Sequence, residues 1–497
     1  MADALLLALD QGTTSTRAIL FDRAGRPLAT ASRPLAQSYP ADGQVEHDAR
    51  EIRRACADVL REAVERSGRD IADVAAIGIT NQRETVVVWD KATGEPIHPA
   101  IVWQDRRTAD LCERLREDGA EAEVSAITGL LIDPYFSATK IAWMLDAVEG
   151  ARARAERGEL LCGTMDCWAA WTLTGGQVHA TDATNASRTM LFDIRSQSWS
   201  GPMLSLFRVP AAVLPEVRDT AGDYGETLAE VLGRLVPIRA MVGDQQGALM
   251  GQGCVRAGQM KMTFGTGGFM LLHTGADRPV SRSRLLATVA ARVNGQTTYA
   301  LEGSVFMAGA AIQWIEDGLG VQGGPEAVEA LARRASPGHG VVMAPAFTGL
   351  GAPWWDAKAR GAIFGLTRDA GLPEIAEATY DACAFQTRDL IEAMRADAPH
   401  AFAGAVELRI DGGMASSPWF AQRLADLAGA DVGRATFQET TALGAALFAG
   451  VGAGVFASLE AAAEARPPAE RLTPSMDVHA REAAYARWLD AVTRVRS

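Results

Sequence analysis

The chain has 497 residues, 48% apolar and 22% charged, with a formal net charge of −13 at pH 7. That length exceeds one ordinary hydrophobic core, so two domains are expected, and the composition is that of a globular protein. The acidic balance excludes a general polyanion binder, which needs clustered Lys and Arg, so no nucleic-acid partner is expected.

The first structured run is "LLLALDQGTTSTRAILFD". Residues 5–9 and about 15–21 read as two strands joined by a short turn, a hairpin. Gln11, Gly12, Thr13 and Thr14 form its tip, and Asp10 stands just before it. The common phosphate loops have a different glycine spacing and lead into a helix, not a second strand. Asp48, with Glu51 three residues on, is a capping-box opening for a helix. Ile52, Cys56, Val59, Leu60 and Ala63 then recur at helical spacing. Residues 74–80 and 85–90 are strands, with "KATGEP" a turn after them. Arg83 and Glu84 lie between them, at a strand end. Trp103 follows in "AIVWQDRRT". Residues 138–148 read as a helix, and 159–164 as a strand feeding a Trp-rich helix. This alternation predicts an α/β architecture.

Near the middle comes "GDQQGAL", residues 243–249, then "GQMKMTFGTGGFMLLHTG", residues 258–275. The second phrase is again strand, Gly-Thr turn, strand. Two such hairpins suggest two related halves, with a boundary near residues 251–258. The expected domains are 1–251 and 252–497. Residues 344–356 form a Pro/Gly/aromatic loop, and 407–418 a strand, a glycine turn and a helix start. The charged tail after Arg466 is expected to pack helices on the surface.

"MADALLLALD" has no basic leader region and no cleavage site, so a cytoplasmic protein without a secretory leader is expected. Residues 440–459 are charge-free and long enough to span a bilayer. They are mostly Ala and Gly, between Glu439 and Glu460, so a buried helix with close backbone approach is expected, not membrane insertion. The six cysteines form no C-x-x-C, and the seven histidines no H-x-x-x-H. Buried free thiols are expected, and no dedicated protein-ligated transition metal.

Tight turns present backbone N–H groups to anionic oxygens. Thr13, Thr14 and Ser15 add hydroxyls in the first turn, and Thr266 in the second. Each turn alone is equally a plain hairpin; together they could grip a polyphosphate from two sides of a cleft. Gly412–Gly413 could approach a base or ribose with no Cβ in the way, or be a simple strand-to-helix turn. A carboxylate beside phosphate needs a cation between, and Mg²⁺ accepts one or two carboxylates. Asp10 and Asp244 are the candidates, with turn capping as the alternative. Asp244 could also take the proton of a substrate hydroxyl. Arg83 and Glu84 can bracket neighbouring hydroxyls, one donating and one accepting, or form a surface ion pair. Trp103 offers an apolar face, or is a core residue.

These phrases, with "DPYFSATKIAWMLD", "TDATNASRTMLFDI", "YALEGSVFMAGAAIQWI", "PAFTGLGAPWWDAKARGAIFGLTR" and "ETTALGAALFAG", run in order from residue 5 to about 450. In them the chain resembles the FGGY carbohydrate kinases, and among those the glycerol kinases. The resemblance implies two ribonuclease-H-like α/β domains of the actin-like ATPase kind, with a deep interdomain cleft. It implies ATP- and Mg²⁺-dependent phosphorylation of glycerol to sn-glycerol 3-phosphate, the first step of glycerol catabolism. Carried over by position, glycerol would meet Arg83, Glu84, Tyr135, Asp244 and Gln245, with Trp103 and Phe269 on its carbons and Asp244 as general base. ATP would meet Thr13, Thr14, Ser15, Arg17, Thr266, Gly309, Gln313 and Gly413, with an adenine-side contact near Ser417. Asp10 and Asp244 would hold Mg²⁺. A homo-oligomer, dimer or tetramer, is also implied.

Two departures stand out. "YGETLAEVLGRLVPIRAMVGDQQ" has Leu and Val where many members carry a glycine- and basic-rich loop for fructose 1,6-bisphosphate, so that inhibition is expected to be weak or absent. Ser416–Ser417 stand where members of the family often have two asparagines. Two other readings stand beside the first: a kinase for another polyol or a pentulose, and an ATP-binding scaffold of the actin group. The grouping of Arg83, Glu84, Trp103, Tyr135 and Phe269 favours a small triol.

Overall fold

The computed structural model describes residues 4–404 and 406–496; residues 1–3, part of the leader reading, and 405 and 497 lie outside the described residues. Two sheets share one topology. In the first, Leu5–Gln11 pairs antiparallel with Ser15–Phe21, which pairs antiparallel with Pro27–Pro34. On its other side Leu5–Gln11 pairs parallel with Val74–Asn81, and that strand with Ile238–Gly243. In the second, Met260–Phe264 pairs antiparallel with Gly268–Gly275, and that strand with Gln296–Val305. Its other side pairs parallel with Glu407–Gly412, then Asp431–Ala435. Both cores therefore run third, second, first, fourth, fifth in sequence order. The second sheet is extended at its edges by Leu286–Val293 and Ala469–Leu472. This duplicated order is the ribonuclease-H-like, actin-like ATPase arrangement, and the two Gly-Thr hairpins are its first two strands in each half.

The first strand is apolar on both faces because helices cover both. Leu5, Leu7 and Leu9 share a core with Ile52, Cys56, Val59, Leu60 and Ala63 of the helix Ala49–Ser67. Leu6 and Ala8 share another with Ala442, Ala445 and Ala449. Asp48 does cap the first helix, but it accepts from the Arg50 N–H, one residue earlier than a capping box uses.

The Ala/Gly run forms the buried helix Thr440–Gly452. Small residues there let backbones meet: a Cβ on Gly78 of the first sheet would lie 2.1 Å from the Ala445 carbonyl oxygen. Among the described residues no helix is long and apolar enough to cross a membrane. All six cysteines are free and buried.

The tail differs from expectation. Ala469–Leu472 joins the second sheet, antiparallel to Asp431–Ala435. The helix Val478–Val495 buries Trp488, whose Nε1 donates to Asp389 Oδ2 at 2.9 Å. Trp488, Ala491 and Val492 make a narrow apolar stripe that the surrounding charges hide in the sequence.

Candidate active site

Val74–Asn81 ends at the seam between the two halves, and the chain turns through residues 82–85 before Val86–Asp90. Glu84 has φ of 63°, a left-handed conformation that is costly for a residue with a Cβ. It is held there by two bonds. Its carbonyl accepts from Ser137 Oγ at 3.1 Å, and its Oε1 accepts from Arg188 Nε at 2.7 Å. Arg83 and Glu84 are both buried, so they are not a surface pair. Their direct separation is 3.9 Å, and each has a closer partner.

Arg83 Nε stands 3.1 Å from Asp244 Oδ1. Its Nη1 donates to Glu302 Oε2 at 2.6 Å and to Gln246 Oε1 at 3.2 Å, and Nη2 donates to Glu302 Oε1 at 3.0 Å. Asp244 opens the helix Asp244–Gly251, directly after the fifth strand, and its Oδ1 accepts from the Gln245 N–H at 2.7 Å. Lys261 Nζ, from the second sheet, donates to Gln245 Oε1 and, at 3.0 Å, to Thr263 Oγ1.

Aromatic rings flank this cluster. Tyr135 lies under the Arg188 guanidinium at 5.8 Å and meets Trp103 edge-on at 5.6 Å. Both rings are half-buried. Trp103 Nε1 donates to Thr13 Oγ1 at 2.9 Å, tying the aromatic wall to the first Gly-Thr turn. Phe269 comes from the other half. It pairs in register with Thr263, as Leu271 does with Lys261 and Glu302, so it shares the sheet face of Lys261 and Glu302.

The first turn is pinned from inside: Gly12 N donates to Ser15 O at 2.9 Å, and Gln82 Nε2 to Gly12 O at 3.1 Å. Thr14 is exposed at the tip. Arg17 sits opposite Asp10 across the hairpin and forms an ion pair with Glu439 of the second half.

The second turn rests on a helix. The Gly309 and Ala310 N–H groups of Gly309–Leu319 donate to the Gly265 and Thr266 carbonyls, each at 3.0 Å. A Cβ on Gly309 would lie 2.6 Å from the Gly265 oxygen, so glycine is required by this contact. Beside it opens a cavity of about 740 Å³ lined by Thr266, Gly309, Gln313, Gly413 and Ser417, among others. Its size suits a nucleotide-sized ligand. Ser417 Oγ caps the helix Pro418–Ala428, accepting from the Phe420 N–H at 3.0 Å. Thr13, Thr14, Ser15 and Arg17 do not line this cavity; they belong to the first half.

Burial sets the charge states here. It pushes the Asp10 carboxyl up to about 7; Arg17 opposes this, while Asp244 and Glu439 add to it. Burial likewise raises Asp244, against Arg83 and Lys261. It lowers Lys261 to about 8. Burial also pushes Glu302 upward, but the Arg188 and Arg83 guanidinia outweigh it and hold Glu302 at about 2.

Among the described residues, no three His, Cys, Asp or Glu side chains converge as a metal site. Asp10 and Asp244 feel one another's charge, which a cation between them would relieve. Two carboxylates fit Mg²⁺, which keeps waters and phosphate oxygens as its other ligands.

Arg188, Glu302 and Lys261 are the charged residues at this cluster that the motif reading passed over. A signal was present: each is a lone charge in a run that is otherwise apolar or small, and such a charge is buried only when paired.

The two halves match the N-terminal domain of the FGGY family of carbohydrate kinases over residues 5–251 and its C-terminal domain over residues 260–453. The chain belongs to this family and is a kinase. It is similar to the glycerol kinase of Ectopseudomonas mendocina (strain ymp), 54% identical over 493 residues and 99% of each chain. Glycerol kinase 1 of Pseudomonas aeruginosa is 53% identical over 492 residues, 99% of each chain. The crystal structure of Plasmodium falciparum glycerol kinase with ADP superposes with a TM-score of 0.93 at 30% identity, covering 99% of this chain and 98% of that one.

Proposed function

We propose that this kinase transfers the terminal phosphoryl group of ATP to glycerol, giving sn-glycerol 3-phosphate. The observation that carries the reading is the Arg83 Nε–Asp244 Oδ1 contact of 3.1 Å beside buried Glu84 and the Trp103–Tyr135 edge. Glycerol is almost wholly polar, so its hydroxyls need partners once water is excluded. Arg83 donates to them, and Glu84 and Asp244 accept. Trp103, Tyr135 and Phe269 cover the carbons. Gln245, held by Lys261, closes the polar side.

Asp244 acts as general base on the attacking hydroxyl. Burial raises its carboxyl, which brings its basicity nearer to neutral pH. Phosphoryl transfer asks the protein mostly for alignment and charge compensation. Thr266, Gly309, Gln313, Gly413 and Ser417 hold the nucleotide from residues 252–497, and Thr13, Thr14, Ser15 and Arg17 meet its phosphates from residues 1–251. Asp10 and Asp244 would hold Mg²⁺, which would supply charge neutralisation for the transferred phosphoryl group. The high identity to glycerol kinases supports this reading over the other polyols. A cytoplasmic homo-oligomer belongs to the same proposal.

A coupled ADP-release assay across glycerol, erythritol and pentuloses tests it. Glycerol is expected to give the highest kcat/KM. A longer polyol surpassing it would overturn the substrate assignment, and ATP turnover independent of any polyol would favour an ATPase scaffold.

A further inference from the structure

Arg83 belongs to the first half of the chain, but its strongest partner does not. Glu302 lies in the strand Gln296–Val305 of the second sheet, 219 residues away, and is 1% exposed. Its two oxygens receive Arg83 as a fork: Nη1 at 2.6 Å and Nη2 at 3.0 Å. Oε1 also accepts from Arg188 Nη2 at 2.9 Å. Arg188 in turn donates to Glu84 and lies over Tyr135. One buried carboxylate from the second half thus touches both guanidinium groups that frame the candidate acceptor site.

A contact meant only to glue the halves together would be cheaper as an apolar one, because desolvating a carboxylate is costly. A fork-to-fork pair adds what an apolar contact cannot: it fixes the plane of the guanidinium. With Nη1 committed to Glu302 and Gln246, Nε faces Asp244, and Nη2 keeps one N–H beyond its bond to Glu302. Without Glu302, Asp244 and Glu84 are the anions left near Nε, at 3.1 and 3.9 Å, and Arg83 would swing onto them.

We propose that Glu302 is a positioning residue for the acceptor: it reaches across the seam, aligns Arg83 and Arg188, and makes polyol binding depend on the second domain being docked. Lys261, on the same sheet face, serves Gln245 in the same way. The proposal rests on the reading of Arg83 and Glu84 as the polyol site.

The test is steady-state kinetics on full-length Glu302→Gln and Glu302→Asp, with ADP binding measured directly as a control. The Gln variant is expected to raise the acceptor KM by about tenfold or more while ADP affinity shifts by less than about twofold, with the Asp variant intermediate. An unchanged acceptor KM in a folded Gln variant overturns the proposal. So does a loss of ADP affinity parallel to the loss of acceptor affinity, which marks a purely structural role. If the Gln variant does not fold, the Asp variant decides by the same criteria. Should wild-type enzyme prefer another polyol to glycerol, the substrate reading fails on its own, and the KM comparison is made with the preferred polyol.

Discussion

Gly444 meets Gly247 backbone to backbone: a Cβ on Gly444 would lie 1.8 Å from the Gly247 carbonyl oxygen. A second contact between the same helices is as close, with a Cβ on Gly251 falling 1.9 Å from the Thr440 oxygen. The helices Asp244–Gly251 and Thr440–Gly452 each follow the fifth strand of their own sheet, so this crossing joins the two halves. Gly444→Ala is expected to cost more than the 1–3 kcal/mol typical of overpacking, about 3 kcal/mol or above, because carbonyls cannot move as side chains do. Thermal unfolding checks this; a melting temperature equal to wild type would contradict the contact.

Gly413 is the opposite case. A Cβ there finds nothing within 4 Å, and its side faces the cavity that also holds Thr266 and Ser417. Gly413→Ala should leave stability within about 0.5 kcal/mol of wild type, as for a neutral surface change. If the cavity is the nucleotide site, the same methyl group should raise the ATP KM several-fold without altering the glycerol KM.

Asp244→Asn removes a base while keeping its shape. A drop in kcat of about 10²–10⁴-fold is expected, the usual worth of a general base, with ADP affinity nearly retained. Single-turnover rates with glycerol and equilibrium ADP binding separate the two effects. Turnover at the wild-type rate would remove Asp244 from that role.

His273 links acid to instability. It is buried in the strand Gly268–Gly275, and its Nδ1 accepts from the Gly275 N–H at 3.1 Å. Burial holds its pKa down at about 4, against an ordinary 6.5. Between those values the unfolded chain takes up a proton that the folded one refuses. This contribution is therefore full above pH 6.5 and is lost as pH falls towards 4, about 3 kcal/mol in all. His273→Asn keeps an acceptor for Gly275 but cannot titrate. Denaturant unfolding at pH 7 and pH 5 should show a loss smaller by about 2 kcal/mol in the variant than in wild type.

The segment preceding Asp244 bears on regulation. After the short helix Ala229–Leu232 the exposed residues are Gly233, Arg234 and Leu235, with a single cation among them. A bisphosphate needs several donors, so fructose 1,6-bisphosphate at physiological concentration is expected to leave the rate unchanged. Initial rates with and without it are the check, and clear inhibition would refute the expectation.

The sequence by itself determined the local pieces. Turn chemistry and period-two runs marked both Gly-Thr hairpins, and their repetition marked the two related halves. Helical spacing from Ile52 to Ala63 marked the first helix and its buried face. The charge-free run after Glu439 marked a helix of close contacts. Each signal is short in range, carried by residues a few positions apart. Only the tertiary structure decided what those pieces face. It put Glu302 on Arg83 across 219 positions, Lys261 on Gln245, and Trp103 on Thr13. It gathered Thr266, Gly309, Gln313, Gly413 and Ser417 around one cavity, and buried Trp488 of the charged tail. No period announces such contacts. They follow from two sheets packing through a shared pair of small-residue helices, and a buried charge takes its meaning from the partner that this packing brings to it.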